Sequence, residues 1–180
     1  MKSPIGDKTA AFGIRDFLLL AFLGLFLVAV QSSLIAWAGF ASLYYPEWVL
    51  VLTIYIILRT DLWLAVLGAF VLGFIRDALG GGVLGLYQFT LVLLTWLFHP
   101  FRSRLNFFNP LTLMPLTFIL SFGGYLFVMT PVMAVLGWPG NTFNPVPAFF
   151  ISSLTTALTA PVLFYFLDWL TRRKTGVGRS

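Results

Sequence analysis

Long apolar runs, broken by short polar or glycine-rich intervals, occupy most of this chain. The first run covers 17–38, with only Gln31, Ser32 and Ser33 interrupting it. A polar-aromatic connection, Ser42 to Glu47, leads into two shorter runs over 46–59 and 62–76, separated at Arg59-Thr60-Asp61. The break Arg76-Asp77-Ala78-Leu79-Gly80-Gly81-Gly82 precedes a run over 83–98, and His99 to Asn106 closes it with two arginines. The longest uncharged stretch, 105–167, must hold two helices, 111–134 and 146–170, because Gly137-Trp138-Pro139-Gly140-Asn141 breaks it with turn-forming residues. About 20 apolar residues span a bilayer. The pattern therefore predicts an all-α, polytopic membrane protein of about six transmembrane helices. It comprises a cytoplasmic N-terminal segment (1–16), one transmembrane domain (17–170) and a basic cytoplasmic tail (171–180).

Composition agrees. Hydrophobic residues make up 59% of the 180-residue chain and charged residues 9%, where soluble domains average about 25% charged. Mean hydropathy is +0.95. The net charge of +5 could suggest nucleic acid, but the cations sit at the chain ends and in the spacers between apolar runs, so no nucleic-acid partner is expected. Anionic membrane lipids are the partners such a placement suits. The absence of cysteine removes disulfides, thiolate nucleophiles and Cys-based metal sites. Ala36-Trp37-Ala38 loosely resembles a signal-peptidase site, yet the run before it exceeds a secretory apolar core of about 7–15 residues, so the first helix is expected to be retained.

The two short runs admit three readings: two helices with polar ends, a re-entrant hairpin, or one long helix. Charge separates the crossing models. With six spans and a cytoplasmic N-terminus, ten of the eleven cations fall inside and only Arg76 falls outside. Merging the short runs would place Arg102, Arg104 and Arg172-Arg173-Lys174 outside, against the positive-inside bias. All six tryptophans also fall at span ends, where indole suits the headgroup boundary. No strong internal repeat is visible.

Ionisable groups at membrane depth are costly, roughly 2.5–3.5 kcal/mol each at a span centre, and so point to function. Only Arg76-Asp77 stands away from a cytoplasmic edge with an apolar run on each side. Asp77 near a helix C-terminus opposes the helix dipole. Two readings are open. Asp77 accepts backbone N–H groups of Ala78 to Gly82, or caps the helix starting near Val83, while Arg76 reaches outer headgroups; or the pair is exposed for a partner or ligand. Upstream, Ala65, Ala69, Gly73 and Asp77 recur every four residues with Gly68 beside them, a spacing that lets helices approach closely, inside the chain or across a dimer. Gln31, Ser32, Ser33, Thr53, Tyr55, Gln88, Thr90, Ser121 and the Ser/Thr positions of 152–159 suit interhelical hydrogen bonds. Pro161 is expected to kink the last helix. Catalysis finds little support: His99 is the only histidine, no Gly-x-Ser-x-Gly elbow exists, and no two carboxylates share a plausible site. No enzyme activity, cofactor or metal is expected.

The segment Tyr45 to Leu86, in which Pro46-Glu47-Trp48 opens a short span that ends at Arg59-Thr60-Asp61, resembles the middle of the rod shape-determining MreD family, with a Gly-x(4)-Gly-x(3)-Asp-x(2)-(Ser/Gly)-Gly-x(2)-Leu-Gly pattern that Gly68, Gly73, Asp77, Gly80, Gly81 and Gly85 match. Family members often carry Leu or Gln before the aspartate and Ser in the loop, so Arg76 and Gly80 depart from the pattern. With Gly82, these eight residues form the candidate interaction or structural site. The resemblance implies a non-enzymatic subunit of the bacterial elongation machinery in the cytoplasmic membrane, pairing with MreC and working with MreB, RodA and a penicillin-binding transpeptidase in lateral peptidoglycan synthesis. It also implies a fold like the six-helix substrate-binding subunits (S-components) of energy-coupling-factor transporters. A small-molecule (vitamin-type) binding subunit of a transporter is the alternative, and it would need Gln31, Gln88 and Asp77 to converge on a closed pocket.

Overall fold

The computed structural model describes residues 14–38, 46–80, 83–101, 110–136 and 146–172, with side chains over 17–33, 46–80, 83–101, 112–130 and 146–170. The terminal segments, Gly81-Gly82, Arg102, Arg104, the break Gly137 to Asn141 and the side chains of Trp37 and Trp138 lie outside these ranges. The described residues form six α-helices and no strand: α1 (Ile14–Ala38), α2 (Trp48–Arg59), α3 (Leu62–Gly80), α4 (Leu86–Phe98, followed by a 3₁₀ turn His99–Phe101), α5 (Pro110–Leu136) and α6 (Val146–Arg172). Among the described residues, three stretches are long and apolar enough to cross a membrane: Leu62–Gly80, Thr112–Thr130 and Val146–Leu170.

Helix α2 organises the rest. Its sequence WVLVLTIYIILR is apolar on every face, and a helix apolar all round belongs in an interior. Every residue from Val49 to Ile57 is buried, and α2 touches each of the other five helices. It contributes to three separate apolar clusters. Val49, Leu52, Tyr55, Ile56 and Ile57 pack with Leu20, Ala65, Ala69, Leu72 and Leu91; Leu50 and Ile54 meet Leu120; and Val51 meets Leu113 and Ala160. At 12 residues, α2 rises only about 18 Å. A helix ringed by others need not match the lipid on its own.

The corner between α2 and α3 excludes the single long helix. Thr60 is extended (φ −122°, ψ 166°), and its backbone N–H (3.0 Å) and Oγ1 (2.8 Å) both donate to the Ile56 carbonyl, ending α2. The carbonyl of Asp61 then accepts the Ala65 N–H at 2.9 Å, starting α3.

The small-residue stripe on α3 packs within the chain. Ala65 and Ala69 are fully buried. A Cβ on Gly68 would lie 3.1 Å from Ile56 Cδ1, and one on Gly73 would land on the Gln88 backbone of α4, 3.1 Å from its N. Gly73 thus sets how closely α3 and α4 approach.

Many hydroxyls expected to bond between helices instead bond back along their own helix. Ser33, Thr53 and Thr90 donate to the carbonyls of Ala29, Val49 and Leu86, each four residues earlier, at 2.8–2.9 Å. In an apolar setting the preceding turn's carbonyl is the nearest acceptor and needs no partner helix. Helix α6 continues through Pro161. Among the described tryptophans, Trp63 (82% exposed), Trp96 (63%) and Trp169 (42%) face outward near helix ends.

Candidate functional site: a buried polar hub and a capped hairpin

The start of α2, the end of α3 and the start of α4 meet at one end of the bundle. Glu47, directly before α2, is only 4% exposed. Its Oε2 accepts the Tyr87 hydroxyl of α4 at 2.9 Å. Its Oε1 accepts the Tyr125 hydroxyl of α5 at 3.0 Å and faces Arg76 Nη2 of α3 at 3.4 Å. The Glu47 backbone N–H donates to Thr156 Oγ1 of α6 at 2.8 Å. One residue therefore joins α2 to four neighbouring helices. Tyr125 also lies 2.7 Å from Ser152 Oγ. A phenol has one proton, so if Tyr125 donates to an ionised Glu47, Ser152 donates to Tyr125.

The aromatic rings are held by packing. Tyr125 stacks on Phe149 at 4.9 Å, and the Arg76 guanidinium lies over the Tyr87 ring at 5.6 Å, where the ring's negative face favours a cation. Arg76 thus turns inward to Glu47 and Tyr87 and not outward to headgroups. Its Nη1 also occupies the space a Cβ on Gly80 would take, so the two departures from the MreD pattern touch each other.

Asp77 lies in the same region but serves the backbone. Its Oδ2 accepts the N–H groups of Gly85 (2.9 Å) and Gln88 (3.0 Å), and its Oδ1 accepts that of Tyr87 (3.3 Å). Of the two readings open for Asp77, capping matches these bonds. Among the described residues the donors are Gly85, Tyr87 and Gln88, because the hairpin folds back and α4 begins at Leu86 and not at Val83. The α3 dipole that disfavours a carboxylate there is offset by the positive N-terminus of α4. Gly85 precedes α4 with φ +89°, a left-handed conformation that glycine adopts without strain.

The hub leaves a cavity of only about 10 Å³, lined by Glu47, Tyr87, Thr90, Ser121 and Tyr125 among others, with room for a single water. Gln31 is 4% exposed, and neither of its amide atoms has a hydrogen-bond partner among the described residues. Gln31 therefore bonds to neither Gln88 nor Asp77. Among the described residues, no cluster of His, Cys, Asp or Glu could hold a metal ion.

The opposite end of α2 carries a second, smaller cluster. Arg59 pairs with Asp168 of α6, which also accepts the Tyr55 hydroxyl at 3.1 Å. Arg59 lies over the Tyr55 ring at 5.5 Å.

A family model described as rod shape-determining protein MreD matches residues 14–169, nearly the whole chain. This chain belongs to the MreD family. It is accordingly a membrane protein of the rod-shape-determining class. No curated protein and no solved structure matches the chain, so a likeness to energy-coupling-factor substrate-binding subunits finds no support there. Of the eight sequence-derived candidates in this MreD-family chain, the structure brings Arg76, Asp77, Gly80 and Gly85 to the α3–α4 hairpin and puts Gly68 and Gly73 at helix contacts below it. Gly81 and Gly82 lie outside the described residues.

Sequence reasoning missed Glu47, which it assigned to a polar connection, along with Tyr87 and Tyr125. A signal existed. In the six-span topology Arg76 is the lone outer cation, and Glu47 and Asp77 are the only outer acids. A buried cation needs a counter-charge. Asp77, one residue from Arg76, points about 100° away on a helix and leaves Glu47 as the partner.

Proposed function

We propose that this protein is a six-span subunit of the bacterial elongation complex in the cytoplasmic membrane, with both termini inside. It binds MreC and helps organise lateral peptidoglycan synthesis with MreB, RodA and a penicillin-binding transpeptidase. The family match over residues 14–169 carries this reading. The distribution of cations, ten on one side and Arg76 on the other, supports the topology. The bundle is filled at its centre by α2, and its polar hub is spent on holding helices together, which suits a rigid docking body. A transporter subunit capturing a small molecule needs more room than the hub's cavity of about 10 Å³ and free polar groups where Asp77 is already committed to three N–H donors.

The test is affinity purification of the tagged protein from its native host in mild detergent. MreC is expected as a major co-purifying protein, with wall-synthesis enzymes in smaller amounts. Recovery without MreC, or with a transport ATPase pair and a retained small ligand, would sink this reading in favour of the transporter one.

A further inference from the structure

We propose that a groove between α3 and α4 is a binding site for one acyl chain of a membrane phospholipid, held there more firmly than the surrounding lipid. Gly73 lets the two helices meet at the Gln88 backbone. Nearer the α2–α3 corner a groove of about 240 Å³ opens between them. Leu62, Val66 and Val92 are half-buried and form its floor, while the exposed Trp63, Phe89, Leu93 and Trp96 form its rims. The only polar side-chain atoms in this lining are the two indole N–H groups.

A space of this size calls for an occupant. Close packing leaves few voids larger than a water, and an apolar cavity of about 150 Å³ stays dry yet takes up benzene. Within a membrane the candidates are an acyl chain and a helix of a partner, and the walls favour the chain. Helices dock in lipid through small residues that let backbones approach. Here the small residues of α3, Ala65, Gly68, Ala69 and Gly73, are buried within the chain, and the groove is lined by no Gly, Ala, Ser or Thr. From Phe89 to Trp96 it runs about 10 Å along α4, less than one leaflet of a core about 30 Å thick, so a spanning helix could seat only a fraction of its length there.

The rims orient the lipid. The end of α4 meets the α2–α3 corner, where His99 Nε2 lies 3.4 Å from the Thr60 carbonyl oxygen, so Trp63 and Trp96 stand together at that end of the groove. Indoles suit the headgroup boundary, and their N–H groups can donate to headgroup or ester oxygens. The headgroup therefore lies beyond the two tryptophans and the tail runs toward Phe89. With both termini inside, as proposed above, this is the cytoplasmic leaflet; only the choice of leaflet rests on that reading.

Native mass spectrometry of the tagged protein, purified from its native host in mild detergent, counts the phospholipids that stay bound. One molecule is expected to survive activation that strips the others. Val66→Phe, which fills the groove from its floor, should lower that occupancy several-fold, whereas Leu67→Phe, an exposed position outside the groove, should leave it unchanged. No retained phospholipid in the native chain, or undiminished occupancy in a folded Val66→Phe protein, overturns the proposal. If Val66→Phe does not fold, Trp63→Ala, which lowers one rim, takes its place with the same two outcomes. A photo-cross-linking residue at position 93, activated in native membranes, separates the occupants. A phospholipid adduct supports the acyl chain. A cross-link to another protein gives the groove to a partner helix, and a cross-linked dimer gives it to a second copy; either overturns the proposal while leaving the six-span topology untouched.

Discussion

Glu47 shows how much one buried carboxylate can organise. Removing it as Glu47→Ala leaves the Tyr87 and Tyr125 hydroxyls without this acceptor and the Arg76 charge uncompensated. Breaking a buried pair from one side costs about 3–5 kcal/mol. The expected outcome is a much lower melting midpoint in detergent, or loss of the protein from the membrane. Pairing Glu47→Gln with Arg76→Gln removes both charges and keeps hydrogen-bonding groups, and should recover a large part of the loss of Glu47→Gln alone. A double variant no better than the single one would mean that the 3.4 Å Arg76–Glu47 contact contributes nothing. Gly73 gives a sharper steric case. Its missing Cβ points at the Gln88 backbone, which cannot rotate away as a side chain would, so Gly73→Ala should destabilise more than Gly80→Ala, which only displaces the end of Arg76. Ranking the two melting midpoints checks this.

At the scale of elements, the helices were legible because apolar runs and breaks alternate so plainly. The ends of α2 and α3 follow from Arg59-Thr60-Asp61, and α4 from the glycines before it. The centrality of α2 was not legible in the same way. Facing lipid and facing other helices both select apolar side chains, so hydropathy alone does not separate them. The signal that does is the small-residue face of α3, Ala65, Gly68, Ala69 and Gly73, which marks where a neighbour comes close. Burial makes the distinction testable. Leu52→Ala opens a cavity where α2 meets α1 and α3 and should cost about 2–5 kcal/mol. Leu67→Ala on α3, 49% exposed, should cost far less, because lipid fills the space. Equal losses in melting midpoint would contradict the central placement of α2. The cap on α4 belongs to this scale too: Asp77→Ala should cost about 0.5–2 kcal/mol and speed amide exchange at Gly85, Tyr87 and Gln88 before other α4 positions.

At the scale of the whole molecule, α2 is a strut pinned at both ends by opposite charges. Glu47 precedes its N-terminus and pairs with Arg76 of α3, while Arg59 ends it and pairs with Asp168 of α6. Both placements follow the helix dipole, an acid at the positive end and a base at the negative end. The two pairs also join α2 to helices on different sides of the bundle, so the strut fixes how α3 and α6 stand relative to each other. The Arg59–Asp168 pair allows this to be tested by charge exchange, since its side chains are 34% and 24% exposed and tolerate reversal better than the deeply buried Glu47. Arg59→Asp alone should destabilise, placing two acids together at the negative end of α2. Adding Asp168→Arg restores an opposite-charge pair but leaves an acid against the dipole, a penalty of about 0.3–1 kcal/mol. The exchanged protein should therefore melt between the single variant and the native chain. Full recovery would mean that the dipole contributes little here, and no recovery would mean that the contacts of Arg59 and Asp168 with Tyr55 outweigh their attraction for each other.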